Sequence, residues 1–175
     1  MPSPQLISAS PRISTLTAAD AGACVALEIA AFDPLDRFPA RVWRRLIGPC
    51  QSAGSVLALG VRGPRTSLSG AIVVLLRRTS RVARIYSLAV DPGQRRRGLA
   101  KRLIVAIIRR LPPRCTTLVL EVRVDNRAAR ALYTHLGFTV TATLADFYGD
   151  GGPGLRYALA LPANLPANSK HSSSS

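Results

Sequence analysis

Residues 85–138 constrain the fold of this chain more than any other segment. The segment reads IYSLAVDPGQRRRGLAKRLIVAIIRRLPPRCTTLVLEVRVDNRAARALYTHLGF. An alternating strand pattern is followed by a basic turn containing Gly98, an amphipathic helix pattern, a nearly continuous apolar strand pattern and a second helix pattern. Pro112 and Pro113 end the first helix sharply. The segment therefore predicts a sheet with helices packed on it.

The basic turn of this segment, QRRRGLA over residues 94–100, places a glycine where a loop becomes a helix. Free backbone N–H groups and the positive end of the helix dipole then face the same point. That arrangement predicts a binding site for a phosphate group. Arginine-rich runs also serve as nucleic-acid patches, so the turn alone leaves both interpretations open.

Glu121 lies in the apolar strand pattern TLVLEVRV of residues 117–124, which is typical of a strand covered on both faces. A carboxylate in such a strand costs free energy unless it is paired or faces a cleft, where it can serve as a general base. The alternative is an ion pair with Arg123, two residues along on the same strand face, or with an arginine of a neighbouring strand. Position alone favours neither interpretation.

The last helix of the segment follows Asn126, a capping residue, and ends at Gly137. Tyr133 lies on this helix next to an apolar residue, Leu132. Taken alone, Tyr133 fits a core aromatic side chain whose hydroxyl group is hydrogen-bonded.

Composition limits the class of protein more than its function. A chain of 175 residues suits one domain, and its net charge of +15 attracts anions such as nucleic acid, a ribosome, an acidic peptide or a phosphorylated cofactor. Its apolar runs are far below the ~20 residues that span a bilayer, and its N-terminus lacks a signal-peptide pattern. We therefore expect a cytoplasmic protein with no membrane partner. The chain has three cysteines, Cys24, Cys50 and Cys115, whose spacing fits neither a zinc site nor a disulfide framework. We expect all three to be buried.

We expect a single domain over residues 11–161 between disordered ends at residues 1–10 and 162–175. Helices are predicted over residues 18–31 and 39–50. The loop FDPLDRF that joins them fits either one wall of a substrate groove or a plain helical hairpin. The remaining patterns predict strands over residues 12–16, 55–61, 67–77, 82–90, 139–144 and 155–161.

Three motifs in register carry a resemblance to a known family. SLAVDPGQRRRGLAKRL, LEVRVDN and AARALYTHLGF are together similar to the Gcn5-related N-acetyltransferases (GNAT), and most similar to the RimI-type ribosomal-protein-alanine N-acetyltransferases. The resemblance covers residues 85–161 well and the first 80 residues by element order. It implies an α/β (α+β) fold with a mixed sheet of six to seven strands and about four flanking helices. The sheet would be splayed where two central parallel strands part to admit acetyl-CoA.

The resemblance also implies which residues bind acetyl-CoA. The family pattern Q/R-x-x-G-x-G/A falls on Arg95, Gly98 and Ala100, and the backbone amides that follow Arg95 would cradle the pyrophosphate. The strand that pairs with pantetheine falls on residues 88–90, and Asn126 matches a side chain that contacts the cofactor. The implied cofactor-binding residues are Leu88, Ala89, Val90, Arg95, Arg96, Arg97, Gly98, Leu99, Ala100, Lys101 and Asn126.

For catalysis, the resemblance implies Glu121 as general base and Tyr133 as general acid, with direct attack of the amine, no covalent acyl-enzyme and no metal. An α-amine suits a single modest base, because neutralising a lysine at pH 7 costs about 3–4 kcal/mol more. The expected acceptor is therefore the N-terminus of a protein or peptide, possibly ribosomal. The two loops that hold family substrate contacts contain the expected substrate-binding residues Phe32, Asp33, Asp36, Phe147 and Tyr148.

Two alternatives stay open. The acceptor could be a small amine such as an antibiotic, a polyamine or an amino acid. The chain could also be an arginine-rich protein that binds nucleic acid or the ribosome through its general basic charge, with a degenerate acetyltransferase fold.

Overall fold

A mixed sheet of seven strands runs through the computed structural model, which describes residues 12–63 and 67–162. The strand order is β1-β2-β3-β4-β5-β7-β6, and β4 and β5 are parallel while the other neighbours are antiparallel. The strands are β1 (Ile13–Thr15), β2 (Val56–Arg62), β3 (Leu68–Leu75), β4 (Val82–Val90), β5 (Thr117–Arg123), β6 (Thr139–Leu144) and β7 (Gly154–Ala160). The α-helices are α1 (Ala21–Ala31), α2 (Ala40–Arg45), α3 (Leu99–Ile108) and α4 (Arg127–His135).

This architecture confirms the predicted mixed sheet with four flanking helices. The predicted helix over residues 39–50 is wrong in its second half, where α2 gives way to a π-helical turn, Leu46–Cys50. Gly48 has non-helical dihedral angles there (φ −110°, ψ −105°) and Pro49 cannot donate a backbone hydrogen bond. The predicted disordered ends, residues 1–10 and 162–175, lie outside the described residues except for residue 162.

The sheet is split between its two parallel strands. β4 pairs with β5 only from Val82 to Arg84, opposite residues 117–119, and beyond that point each strand is bonded only to its outer neighbour. At the split, the register between β3 and β4 shifts so that Ile85 and Ser87 face consecutive residues of β3 and Tyr86 faces none. This extra residue is a β-bulge, which bends β4 away from β5. The predicted splayed sheet is therefore present, and it leaves a gap between β4 and β5.

Helices cover both faces of the sheet and form two apolar clusters. On one face, α3 buries an apolar stripe that includes Leu103, Ile104 and Ile107 against β2, β3 and β4, as its amphipathic pattern predicts. On the other face, α1 and α2 bury Leu27 and Trp43 against β2 and β3. The gap in the sheet lies between these two layers.

Helices long and apolar enough to cross a membrane are not found in the described part of the chain. The expected cytoplasmic location stays a prediction. The cysteines are free thiols, with Cys24 and Cys115 buried and Cys50 half-buried.

Candidate active site

A cleft of about 410 Å³ opens where β4 and β5 part. It is bounded by these two strands, by α1 and the loop after it, by α4 and by the loop before β7. Concave sites of this size hold small ligands or the end of a larger one. Eight of the expected site residues line it, namely Phe32, Asp36, Leu88, Glu121, Asn126, Tyr133, Phe147 and Tyr148. Asp33, Ala89, Val90 and residues 95–101 lie outside its lining.

Glu121 is held in the cleft by two guanidinium groups. Arg84 Nε on β4 donates to Glu121 Oε2 at 2.8 Å, and Arg156 Nε on β7 donates to Glu121 Oε1 at 2.9 Å. The Glu121 side chain is 6% exposed. The ion pair with arginines of neighbouring strands is therefore present, and the same carboxylate lies in the cleft that a general base requires.

Tyr133 projects from α4 into the same cleft and is 7% exposed. Its ring packs edge-on against Phe138, with centroids 5.7 Å apart, and at a tilt against Tyr157, 6.0 Å away. Burial raises the pKa of the Tyr133 phenol above its usual range, and nearby Tyr148 adds to the shift. A tyrosine hydroxyl group carries its proton at neutral pH in any case, and burial disfavours its ionised form further.

The basic turn after β4 has the geometry of an anion site. Arg96 (φ 61°) and Gly98 (φ 72°) both adopt left-handed backbone conformations, and α3 begins immediately after them. Within the described part of the chain, the backbone N–H groups of residues 96–101 have no hydrogen-bond acceptor. Successive unpaired amides at a helix N-terminus form a concave nest for anions. This turn follows the carboxyl end of β4, where that strand has separated from β5.

The side chains of this turn partly serve the protein itself. Arg97 Nη1 donates to Gln94 Oε1 at 2.6 Å, and Arg95 Nη2 donates to the carbonyl oxygen of Ala31 at the end of α1, 3.2 Å away. Asn126 Oδ1 accepts from Ala129 N at 3.1 Å, which confirms it as the N-cap of α4. The turn therefore offers backbone amides, supported by the positive charge of its arginines.

Arg123 ties together the two loops at the mouth of the cleft. Its guanidinium group makes a bidentate pair with Asp36, at 2.8 and 2.9 Å, and reaches both oxygens of Asp150, at 3.1 and 3.2 Å. The same group lies over the ring of Tyr148, 4.1 Å from its centroid. Asp36, which was expected to contact substrate, therefore has both oxygens bonded to Arg123. The loop after α1 and the loop before β7 are joined across the cleft.

We predict that Arg123→Lys loosens both loops at the mouth of the cleft, because a lysine ammonium cannot make the bidentate pair and span both loops. The measurement is amide hydrogen exchange in the loop after α1 and in the loop before β7, which should become roughly three- to tenfold faster. Arg62→Lys is the matched control, since Arg62 pairs with Asp20 outside the cleft lining. Unchanged exchange in both loops of Arg123→Lys would show that the two loops do not need this connection.

Glu28 is a cleft residue that the sequence interpretation missed. It is 1% exposed on α1, it lines the cleft, and its Oε1 accepts from Phe38 N at 3.1 Å. Its other oxygen, Oε2, is buried without a hydrogen-bond partner. A signal was available, because Cys24, Leu27, Glu28 and Ala31 share the i, i+3, i+4, i+7 spacing of one helix face. A glutamate on an apolar face indicates a buried carboxylate.

Burial is the main reason that the pKa of Glu28 is raised to about 7. The N–H of Phe38, the indole of Trp43 and the charge of Arg37 act in the opposite direction and lower it. The indole N–H of Trp43 lies near Glu28 but falls outside hydrogen-bond geometry.

This shift predicts a pH-dependent stability. Since the folded protein holds this proton more tightly than the unfolded chain, folding is favoured below pH ~4.5 and that contribution is lost as the pH rises through 7. Between pH 5 and pH 8, the free energy of unfolding of the wild type should fall by roughly 2–3 kcal/mol relative to Glu28→Gln. Urea unfolding of both proteins across this range measures the difference. Parallel pH profiles would mean that Glu28 titrates normally.

Comparison with known proteins finds acetyltransferases among the relatives of this chain. The model of the acetyltransferase (GNAT) family matches residues 39–138. A [ribosomal protein bS18]-alanine N-acetyltransferase from Salmonella typhimurium is 43% identical over 67 residues, which are 38% of this chain and 45% of that protein. The chain thus spans less than half the length of this relative. The N-alpha-acetyltransferase RimI of Mycobacterium tuberculosis is 30% identical over 141 residues, or 80% of this chain and 85% of that one.

A solved structure agrees with these relatives. The crystal structure of the ribosomal-protein-S18-alanine N-acetyltransferase from Escherichia coli superposes with a TM-score of 0.75 at 25% identity. The superposition covers 93% of this chain and 99% of that one. The family match, the relatives and the split sheet all lead to the same assignment: the chain belongs to the acetyltransferase (GNAT) family.

Proposed function

We propose that this chain is an acetyl-CoA-dependent N-acetyltransferase whose acceptor is the N-terminal α-amine of a protein or peptide. The observation that carries the proposal is the gap between β4 and β5. It contains Glu121 and Tyr133, and unpaired backbone amides follow the end of β4 that borders it. A nucleic-acid-binding module requires none of these features.

Acetyl-CoA fits the residues that are present. The unpaired N–H groups of residues 96–101 would hold its pyrophosphate. The edge of β4 at residues 88–90 is bonded to β3 on one side and, among the described residues, to no strand on the other, so it can pair with the amides of pantetheine. Acetyl-CoA supplies an acetyl thioester, and the membership of the GNAT family supports its use here.

Two side chains would handle the protons. Glu121 would accept a proton from the acceptor ammonium group, directly or through water, so that the amine nitrogen can form the new C–N bond at the thioester carbonyl. Tyr133 would donate its proton to the sulfur as the C–S bond breaks. A tyrosine phenol carries this proton at neutral pH even without a pKa shift.

The α-amine is the preferred acceptor for a physical reason and for a reason of similarity. Its unperturbed pKa is about 7.7–8.0 against about 10.4 for lysine, so much more of it is neutral at pH 7. The relative from Salmonella typhimurium is named a [ribosomal protein bS18]-alanine N-acetyltransferase, and the relative from Mycobacterium tuberculosis is named an N-alpha-acetyltransferase. A ribosomal protein is therefore a candidate partner of this chain.

A thiol-release assay with three acceptors tests the proposal. The acceptors are a peptide with a free N-terminal alanine, the same peptide with a blocked α-amine and one internal lysine, and spermidine. We expect thiol release with the first acceptor and release at the background rate with the other two. If spermidine were turned over as fast as the alanine peptide, the acceptor class would be small amines and not protein N-termini. No turnover together with no binding of acetyl-CoA would contradict the proposed activity.

A further inference from the structure

Three carboxylate side chains line the cleft, and they differ in their partners. Both oxygens of Asp36 and both oxygens of Glu121 accept hydrogen bonds from guanidinium groups. Glu28 accepts none from an arginine in the described part of the chain. Arg37, whose charge acts on Glu28, uses its guanidinium group to donate to the carbonyl oxygens of Phe32 and Ile29 instead. Glu28 therefore has an acceptor oxygen that no internal cation satisfies.

A second unpartnered oxygen belongs to another residue that lines the cleft. Ser87 on β4 is 7% exposed, it lines the cleft, and its Oγ is buried without a hydrogen-bond partner. Ala89, two residues along β4, packs in the apolar cluster of α1, and so does Tyr86. Because strand residues alternate between faces and the bulge at Tyr86 interrupts that alternation, Tyr86 and Ser87 both lie on the face that α1 covers.

An aromatic stack joins the loop after α1 to β4 near these two residues. Phe38, whose N–H donates to Glu28 Oε1, stacks on the ring of Tyr86 with centroids 4.6 Å apart. The stack therefore connects Phe38, which is hydrogen-bonded to Glu28, to Tyr86, which precedes Ser87 in the sequence. The Trp43 N–H near Glu28 is outside hydrogen-bond geometry, so both oxygens are unbonded within the described part of the chain. Buried oxygens without hydrogen bonds cost free energy, and a ligand that supplies N–H groups is stabilised there.

We propose that Glu28 and Ser87 form the subsite that binds the ammonium group of the acceptor. An ammonium group has N–H donors for both unpartnered oxygens, Glu28 Oε2 and Ser87 Oγ. Its positive charge is complementary to the Glu28 carboxylate. This inference rests on the proposed function and adds a residue role to it: Glu28 and Ser87 bind the amine, whereas Glu121 and Tyr133 move the protons. The subsite selects acceptors that carry a free amine at the end of the chain entering the cleft.

The test is a comparison of binding rather than of turnover. It uses the full chain with bound coenzyme A and two peptides, one with a free N-terminal amine and one in which that amine is replaced by hydrogen. We expect the wild type to bind the amine peptide about 10- to 100-fold more tightly, as for a charge-assisted hydrogen bond in a buried site. Glu28→Gln should reduce this preference to within about threefold, while Ser87→Ala should reduce it partly.

Glu28→Gln is the sharper variant, because the glutamine oxygen can still accept from Phe38 N and the loop keeps its anchor. Asp20→Asn is the matched control, since Asp20 is a buried carboxylate outside the cleft lining and pairs with Arg62. If Glu28→Gln keeps the wild-type preference, the subsite is wrong. If that variant does not fold, an unchanged preference in Ser87→Ala overturns the proposal equally. A wild type that neither binds nor acetylates the amine peptide contradicts the proposed function instead.

Discussion

Tyr133→Phe lowers kcat for peptide acetylation by about 100-fold or more, and it leaves the affinity for acetyl-CoA unchanged. The variant removes one hydroxyl group and keeps the ring that packs against Phe138 and Tyr157. What is lost is the phenol proton, which a tyrosine carries at neutral pH. Without it, the sulfur must leave unprotonated or take a proton from water, and both routes are slower.

Three measurements separate this effect from damage to the fold. They are kcat from thiol release, the Kd of acetyl-CoA from calorimetry, and the free energy of unfolding. Tyr157→Phe is the matched control, because Tyr157 is a buried tyrosine that touches the Tyr133 ring but lies outside the lining of the cleft. Full activity in Tyr133→Phe, or an equal loss in Tyr157→Phe, would remove Tyr133 from the mechanism.

Gly98→Val weakens acetyl-CoA binding by at least about tenfold, because a β-branched residue strongly disfavours the left-handed conformation that Gly98 adopts at φ 72°. The turn must then rearrange, and the unpaired amides of residues 96–101 no longer point to one site. An added Cβ at Gly98 would meet no atom within 4 Å, so the effect arises from the backbone and not from a steric clash with the protein.

Gly54→Val is a closely matched control for this prediction. Gly54 has φ 70°, its added Cβ would also meet nothing within 4 Å, and it lies before β2, outside the lining of the cleft. Both variants should lose a similar free energy of unfolding, on the order of 1–2 kcal/mol. Only Gly98→Val should lose affinity for acetyl-CoA in calorimetry. Equal affinities in the two variants would mean that the basic turn does not bind the pyrophosphate.

The sequence predicts most of the fold because its signals are local. The apolar stripe of α3, the cap at Asn126 and the stop at Gly137 each depend on residues within one or two turns of helix. The split between β4 and β5 is a long-range feature, and only the resemblance to a family predicted it. The bulge at Tyr86 has no signature in the residues around it, and the π-helical turn at Gly48 was read as a continuous helix.

The site shows the same division. The positions of Glu121 and Tyr133 in one cleft agree with the motif register. The ion-pair partners of Glu121, however, come from other strands that are distant in the sequence. Arg123 was considered as the partner of Glu121, yet it bonds Asp36, which is 87 residues away in the chain. Arg84 and Arg156 take its place because they face Glu121 from both neighbouring strands. Such choices depend on strand order, which a single sequence does not contain.

The central claim is that the acetyl group is transferred to an α-amine, and the most direct measurement is its position on a single acceptor. A peptide that begins with alanine and contains an internal lysine is incubated with the protein and isotope-labelled acetyl-CoA, then fragmented in a mass spectrometer. The account predicts the labelled acetyl group on the N-terminal alanine nitrogen, with unlabelled lysine Nζ, and no label above background in Tyr133→Phe at the same early time. Label on the lysine, or a label of equal amount in that variant, would contradict it.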